Sequence, residues 1–154
     1  MLNYLIIVCL SFVTVSCSPS NKQETGSVNN NSDAYTIVKD TLITYNIEGI
    51  STEGTGAVVN YVNGKITKSI IYIYAGTWQA SIIYEFEKNR IKVLETKYSY
   101  KTELENVTSD EDMQLDYETS YFIDFKGKVI GLPIQERIDI FQEFKATVPF
   151  DLIL

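Results

Sequence analysis

The chain has 154 residues, with thirteen basic and twenty acidic side chains and a net charge of −7 at neutral pH, a length that suits one ordinary domain and not two. That charge repels nucleic acid and anionic lipid, because phosphate affinity depends on Lys and Arg displacing counterions, while a basic protein partner stays permitted. There is no histidine, and both cysteines, Cys9 and Cys17, stand near the start; the body therefore lacks the commonest general base, any Ser-His or Cys-His pair, disulfides and Cys-based zinc.

Taken in chain order, the first feature is a dense apolar run, Leu5-Ile6-Ile7-Val8-Cys9-Leu10, continued by Phe12, Val13 and Val15. A transmembrane helix needs about 20 apolar residues, so this run has the length of a secretory h-region instead. It ends in Thr14-Val15-Ser16-Cys17. A small residue followed by Cys at that place resembles the lipobox of bacterial lipoproteins, although Thr14 replaces the usual Leu, Val or Ile and the first four residues carry no Lys or Arg. The resemblance implies cleavage before Cys17 and acylation of its thiol and new amine, with Cys9 discarded. It also implies sorting to the outer membrane, because Ser18 and not Asp follows the Cys. An ordinary secretory signal and an uncut anchor are the alternatives. Residues 1–16 are thus read as a lipoprotein signal peptide, Cys17 as the lipid attachment site, and 17–34 as lipidated Cys plus tether. Residues 18–34 carry almost no apolar side chains to bury, so they are expected to form a leash of roughly 20–25 Å.

Residues 35–154 are read as a β-rich globular domain, roughly 120 residues that can build a core alone. Eleven tyrosines, with many Ile, Val and Thr, favour pleated and half-buried surfaces. Ala57, Val59 and Tyr61 alternate with Val58, Asn60 and Val62 before Asn63-Gly64, the strongest short hairpin signal because both positions tolerate positive φ. The return strand, 65–74, is expected to place Ile66, Ile70, Tyr72 and Tyr74 on one face, and Ala75-Gly76 turns the chain. The next strand sets Trp78, Ala80, Ile82, Tyr84 and Phe86 on one side, against polar residues interrupted only by Ile83. Lys88-Asn89 leads into 90–100, and a strand over 117–125 turns at Lys126-Gly127 into 128–132. The corners Tyr-Val-Asn-Gly-Lys-Ile, Phe-Glu-Lys-Asn-Arg-Ile and Phe-Lys-Gly-Lys-Val-Ile are alike but unequally spaced, which indicates similar hairpins and not a solenoid. After Pro133 the spacing of Ile138, Phe141 and Lys145 predicts a short helix over 135–146, ended at Val148-Pro149. The tail Leu152-Ile153-Leu154 is expected to pack on the sheet or cover its edge.

The stretch from Thr52-Glu53-Gly54 to Tyr98-Ser99-Tyr100, with Gly76 and Tyr84-Glu85-Phe86 inside it, is similar to small uncharacterised bacterial lipoproteins. They repeat paired aromatics, a Gly turn and a Lys-Leu-like restart. The likeness covers less than half of the mature chain and implies fold and location, with no activity attached.

Candidate chemistry is sparse. Glu103, Glu105, Asp110, Glu111, Asp112, Asp116 and Glu118 form a dense acidic stretch, but 110–115 lacks the Gly and third acidic ligand of an EF-hand, so a solvated loop is expected and no metal. Glu85 and Glu87 share a strand face, as solvated carboxylates do and as glycosidase pairs can. Lys39, Asp40 and Lys97 have no partner group that would make them nucleophiles or bases. Trp78, with Tyr72, Tyr74, Tyr84, Tyr98 and Tyr100, could stack on sugars or a protein, although most such aromatics fill cores; Trp78 is the candidate ligand-binding residue.

The expectation is therefore a mainly β domain, a curved antiparallel meander or partial barrel of about six to seven strands with a short C-terminal helix. Functionally it is a non-catalytic, lipid-anchored envelope protein with a protein or glycan partner, no cofactor and no nucleic acid. The alternative is an inhibitor or immunity protein against a basic toxin or lysozyme.

Overall fold

The computed structural model of the protein describes residues 39–153. The signal peptide, Cys17 and the tether, read from sequence over 1–34, lie outside the described residues.

Seven strands follow one another: β1 (Asp40–Asn46), β2 (Thr55–Val62), β3 (Lys65–Tyr74), β4 (Trp78–Phe86), β5 (Ile91–Tyr100), β6 (Met113–Ile123) and β7 (Val129–Ile130), with one helix, α1 (Phe141–Thr147). They form one antiparallel sheet in sequence order, so every strand pairs with its chain neighbours. The two ends of that order do not pair, and the sheet stays open. Local turns produce this topology. Asn63 and Gly64 both take positive φ, 51° and 76°, the handedness that matches the twist of the flanking strands.

One face of the sheet carries the core. Ala57, Val59 and Tyr61 of β2, Ile71 and Ile73 of β3, and Ile82 and Tyr84 of β4 are buried there with Ile91 and Val93 of β5. Ile43 and Tyr45 from β1 and Val129 from β7 pack on the same cluster, so the sheet curls around what fills it. The filling is C-terminal: Ile140, Phe141, Phe144 and Val148 are all buried. Phe144 meets Tyr84 edge-on with centroids 5.1 Å apart, and Phe150 meets Phe86 at 5.2 Å. Such pairs add about 0.5–1.5 kcal/mol each beyond the area they bury.

Two details depart from the sequence expectation, and a third, the packing of the tail, agrees with it at Leu152. Thr67 is the extra residue of a bulge, since Tyr61 pairs with Ile66 while Asn60 pairs with Lys68. A bulge shifts the alternation by one. Ile66 consequently packs against the core, whereas Tyr72 and Tyr74, 42% and 46% exposed, face the other side with Ile70.

The helix is also shorter than 135–146, spanning Phe141–Thr147. The reason lies in the preceding backbone: the Ile138 N–H donates to the Glu95 carboxylate at 2.7 Å, so that segment is held to the sheet in place of an earlier helical turn. Lastly, the tail caps the β2–β3 hairpin. Asp151 bridges to Lys65, and the Leu152 N–H donates to Gly64 O at 2.7 Å. Leu152 packs on the core while Ile153 is left fully exposed.

Candidate functional site

Among the described residues, the face of the sheet opposite α1 contributes no member to the core cluster. Register aligns its residues in rows across the strands. Val58, Ile70, Ile83 and Leu94 lie side by side on β2 to β5. The adjacent row is Tyr72, Ser81 and Thr96, and the next is Tyr74, Gln79 and Tyr98. On the other flank, Lys68, Glu85 and Lys92 form a charged row in which Glu85 takes both ammonium groups, at 3.5 and 3.3 Å. The Lys92 hydrogen bond, followed by its charge, holds the Glu85 carboxyl below its usual range. Near β1 the face dips into an open hollow of about 340 Å³ lined by Leu42, Val58, Asn60, Lys68 and Ile70. The surface thus offers an apolar stripe, phenol rings, and short amides and hydroxyls beside them.

The aromatic candidates divide between the two sides. Trp78 sits on the core side, half-buried and packed on the cluster, with the Lys97 ammonium 5.2 Å from its ring centroid. Tyr84 is buried in the core. Tyr72, Tyr74, Tyr98 and Tyr100 belong to the uncovered side, and Tyr100 has its hydroxyl pKa raised by partial desolvation, with Tyr74 beside it.

The acidic candidates do separate jobs. Glu87 pairs with Arg90 at 2.6 Å, away from the pair Glu85 makes with the lysines. Asp112 accepts from the backbone and side chains of Thr108 and Ser109, which closes the loop before β6 and lowers its own pKa. Asp116, an extra residue in the β6 register, accepts from Ser99 at 2.7 Å and lies 3.7 Å from the Lys97 ammonium. Glu118 accepts from Thr96 at 3.3 Å. Among the described residues, no three His, Cys, Asp or Glu side chains converge on a metal position.

Two features escaped the sequence reading. The first is Glu95, fully buried on the core side. It accepts from Tyr117 Oη at 2.5 Å, Tyr121 Oη at 3.0 Å and the Ile138 N–H at 2.7 Å. A carboxylate can stay buried when its lone pairs are met in this way. Alternation through Ile91, Val93 and Glu95 already assigns it to the core face, so the signal was present. Burial, then the adjacent carboxylate, pushes the Tyr117 and Tyr121 hydroxyls well above the ordinary tyrosine range.

The second is the distribution of charge. In a meander, alternate turns gather at the same end of the sheet. The β2–β3, β4–β5 and β6–β7 turns bring together Lys65, Lys88, Arg90, Lys126 and Lys128, and Lys39 stands beside Asn63 at the same end. The opposite end collects Glu48 and Glu53 from the β1–β2 loop with Glu103, Glu105, Asp110 and Glu111 from the β5–β6 loop. A net charge of −7 averaged over the chain conceals this separation.

Comparison with protein-family models, with curated proteins and with solved structures finds no match to this chain.

Proposed function

We propose that this protein is a membrane-anchored lipoprotein of the cell envelope, held at the outer membrane through Cys17, and that its domain is a non-catalytic module that binds a glycan. The observation that carries the binding reading is the uncovered sheet face. Tyr72 and Tyr74 are 42% and 46% exposed, and Tyr98 lies in the row beside them. Phenol rings present large flat contact area at low entropic cost. Ser81 and Gln79, interleaved in the same rows, supply the hydroxyl and amide groups that sugar hydroxyls bond to. The lipobox-like Thr14-Val15-Ser16-Cys17 supports the anchor.

The test is retention of the purified protein on insoluble envelope polysaccharide. The double variant Tyr72→Ala/Tyr74→Ala should lose at least about fivefold in affinity, since stacked aromatics contribute about 0.5–1.5 kcal/mol each. Trp78→Ala should act through stability instead. Undiminished binding by the double variant removes the glycan reading; competition by a protein ligand and not by sugar would assign the face to a protein.

The segregated acidic end favours a second reading, an inhibitor or immunity protein that neutralises a basic toxin or lysozyme. It requires salt-sensitive binding to a basic protein, abolished by reversing Glu103, Glu105, Asp110 and Glu111.

A further inference from the structure

Resting on the anchored reading above, we propose that the lysine-bearing end of the sheet docks on an anionic phospholipid surface, so that the domain stands on the bilayer with its acidic end outward.

Three observations converge on that end. The first is charge. Lys39, Lys65, Lys88, Lys126 and Lys128 are exposed and form no ion pair among the described residues. The same end also carries Asp40, Glu87, Asp124 and Asp151, four carboxylates against six cations once Arg90 is included; Glu87 is taken by Arg90 at 2.6 Å, and Asp124 is turned to the Lys126 and Lys128 backbone N–H groups at 2.8 and 2.9 Å. The second is shape. A cleft of about 600 Å³ opens at this end, walled by Ile66, Phe86, Phe125 and Phe150, with Lys65 and Lys88 on its rim beside Glu87 and Asp151. Apolar walls beneath ammonium groups match the junction between headgroup phosphates and acyl chains.

The third is connectivity. Lys39 lies at this end, its backbone N–H donating to the Asn63 side chain at 3.1 Å and its carbonyl accepting from the Asn63 N–H at 3.0 Å. The residues that lead back to Cys17 therefore join the domain where the lysines are. An anchored chain delivers this end to the membrane first, at a high effective concentration.

The acidic loops do not cancel the attraction. Strands of nine or ten residues separate the ends by roughly 30 Å at about 3.3 Å per residue. The Debye length at physiological salt is about 8 Å, so a headgroup layer senses the near end and is screened from the far one. Net charge governs the encounter in bulk solution; local charge governs docking after anchoring.

The experiment uses the full-length protein purified from the membranes of expressing cells, labelled with a fluorescent donor at Asn89→Cys or at Glu105→Cys. It is incorporated into vesicles of neutral phosphatidylcholine, with or without phosphatidylglycerol, that carry an acceptor on the headgroups. Flotation with neutral vesicles reports the anchor alone. Energy transfer reports the docked end. With phosphatidylglycerol present, transfer from position 89 should exceed that from position 105 at least twofold, given ends roughly 30 Å apart. The difference should collapse in about 1 M salt, where the Debye length is about 3 Å. It should also collapse in the triple variant Lys65→Glu/Lys88→Glu/Lys126→Glu, whose fold is checked by circular dichroism.

Equal transfer from both positions, or greater transfer from position 105, overturns the proposal while flotation leaves the anchor standing. Salt-sensitive binding to phosphatidylglycerol through position 89 without flotation on neutral vesicles upholds the docking surface and removes the anchor. Binding to neither vesicle type overturns both.

Discussion

Glu95 shows most directly what one side chain contributes to this fold. Its fully buried carboxylate joins β5, two tyrosines of β6 and the backbone of Ile138. Removing it leaves two hydroxyls and one N–H without their acceptor inside the protein. Each buried donor left without an acceptor costs about 1–3 kcal/mol, so Glu95→Ala should lower the unfolding free energy by about 3 kcal/mol or more in urea titration. A change under about 1 kcal/mol would show that the network contributes little. The tyrosines predict the alkaline limit. Burial pushes the Tyr84, Tyr117 and Tyr121 hydroxyls above their ordinary value of 10.0. A group whose pKa is raised on folding stabilises the fold fully below its unfolded pKa and loses that contribution as pH rises past it. Stability should therefore fall above about pH 10, with tyrosinate absorbance from these residues appearing cooperatively with unfolding. Smooth titration of every tyrosine in an intact fold would contradict this. Asp112 and Asp124 have the opposite sign: their lowered values give a contribution that is present above their ordinary 3.8 and lost as pH falls below it.

Between strand and helix, the contact that admits least change is Gly127 beneath α1. It sits at φ +86°, and a Cβ there would lie 2.7 Å from Phe141 Cδ1. Gly127→Ala adds backbone strain to overpacking, together about 2–4 kcal/mol, measurable as a fall in thermal midpoint. A neutral Gly127→Ala would mean that the β6–β7 turn and α1 are not in contact. Phe144 is fully buried against Tyr84 and Phe86, and Phe144→Ala should cost about 3–5 kcal/mol. The elements also mark where sequence reading succeeds. Alternation and turn chemistry are local, and they located the hairpin at Asn63-Gly64 and the core side of β4 with its residues in place. What they missed depends on partners distant in the chain. The bulge at Thr67 is visible only once β2 is paired, and its effect was to move Tyr72 and Tyr74 away from Ile66. The helical spacing over 135–140 suits equally an extended segment that drops Ile138 and Ile140 into the core, and only the carboxylate of Glu95 decides between them.

The domain has two asymmetries. The first is between faces: one is filled by α1 and the C-terminal tail, and the other presents an apolar stripe and tyrosines. The second is between ends, lysine-rich where residue 39 joins and acidic at the far loops. Neither can be read from composition, because both arise when a meander sorts strand residues by parity and turn residues by alternation. The candidate site was legible only as a set of aromatics; strand parity, shifted in β3 by the bulge, divides them, with Trp78 and Tyr84 inward and Tyr72, Tyr74, Tyr98 and Tyr100 outward. The anchor stays on the sequence alone, since Cys17 lies outside the described residues. The placement of the domain at a membrane follows from attachment at that position, and metabolic labelling with radioactive palmitate tests it most directly. The native protein should take up label, shorten on maturation and fractionate with membranes. Cys17→Ser should take up none and leave the membrane fraction. Unlabelled native protein, or a Cys17→Ser form that keeps its size change and its membrane association, contradicts attachment at Cys17.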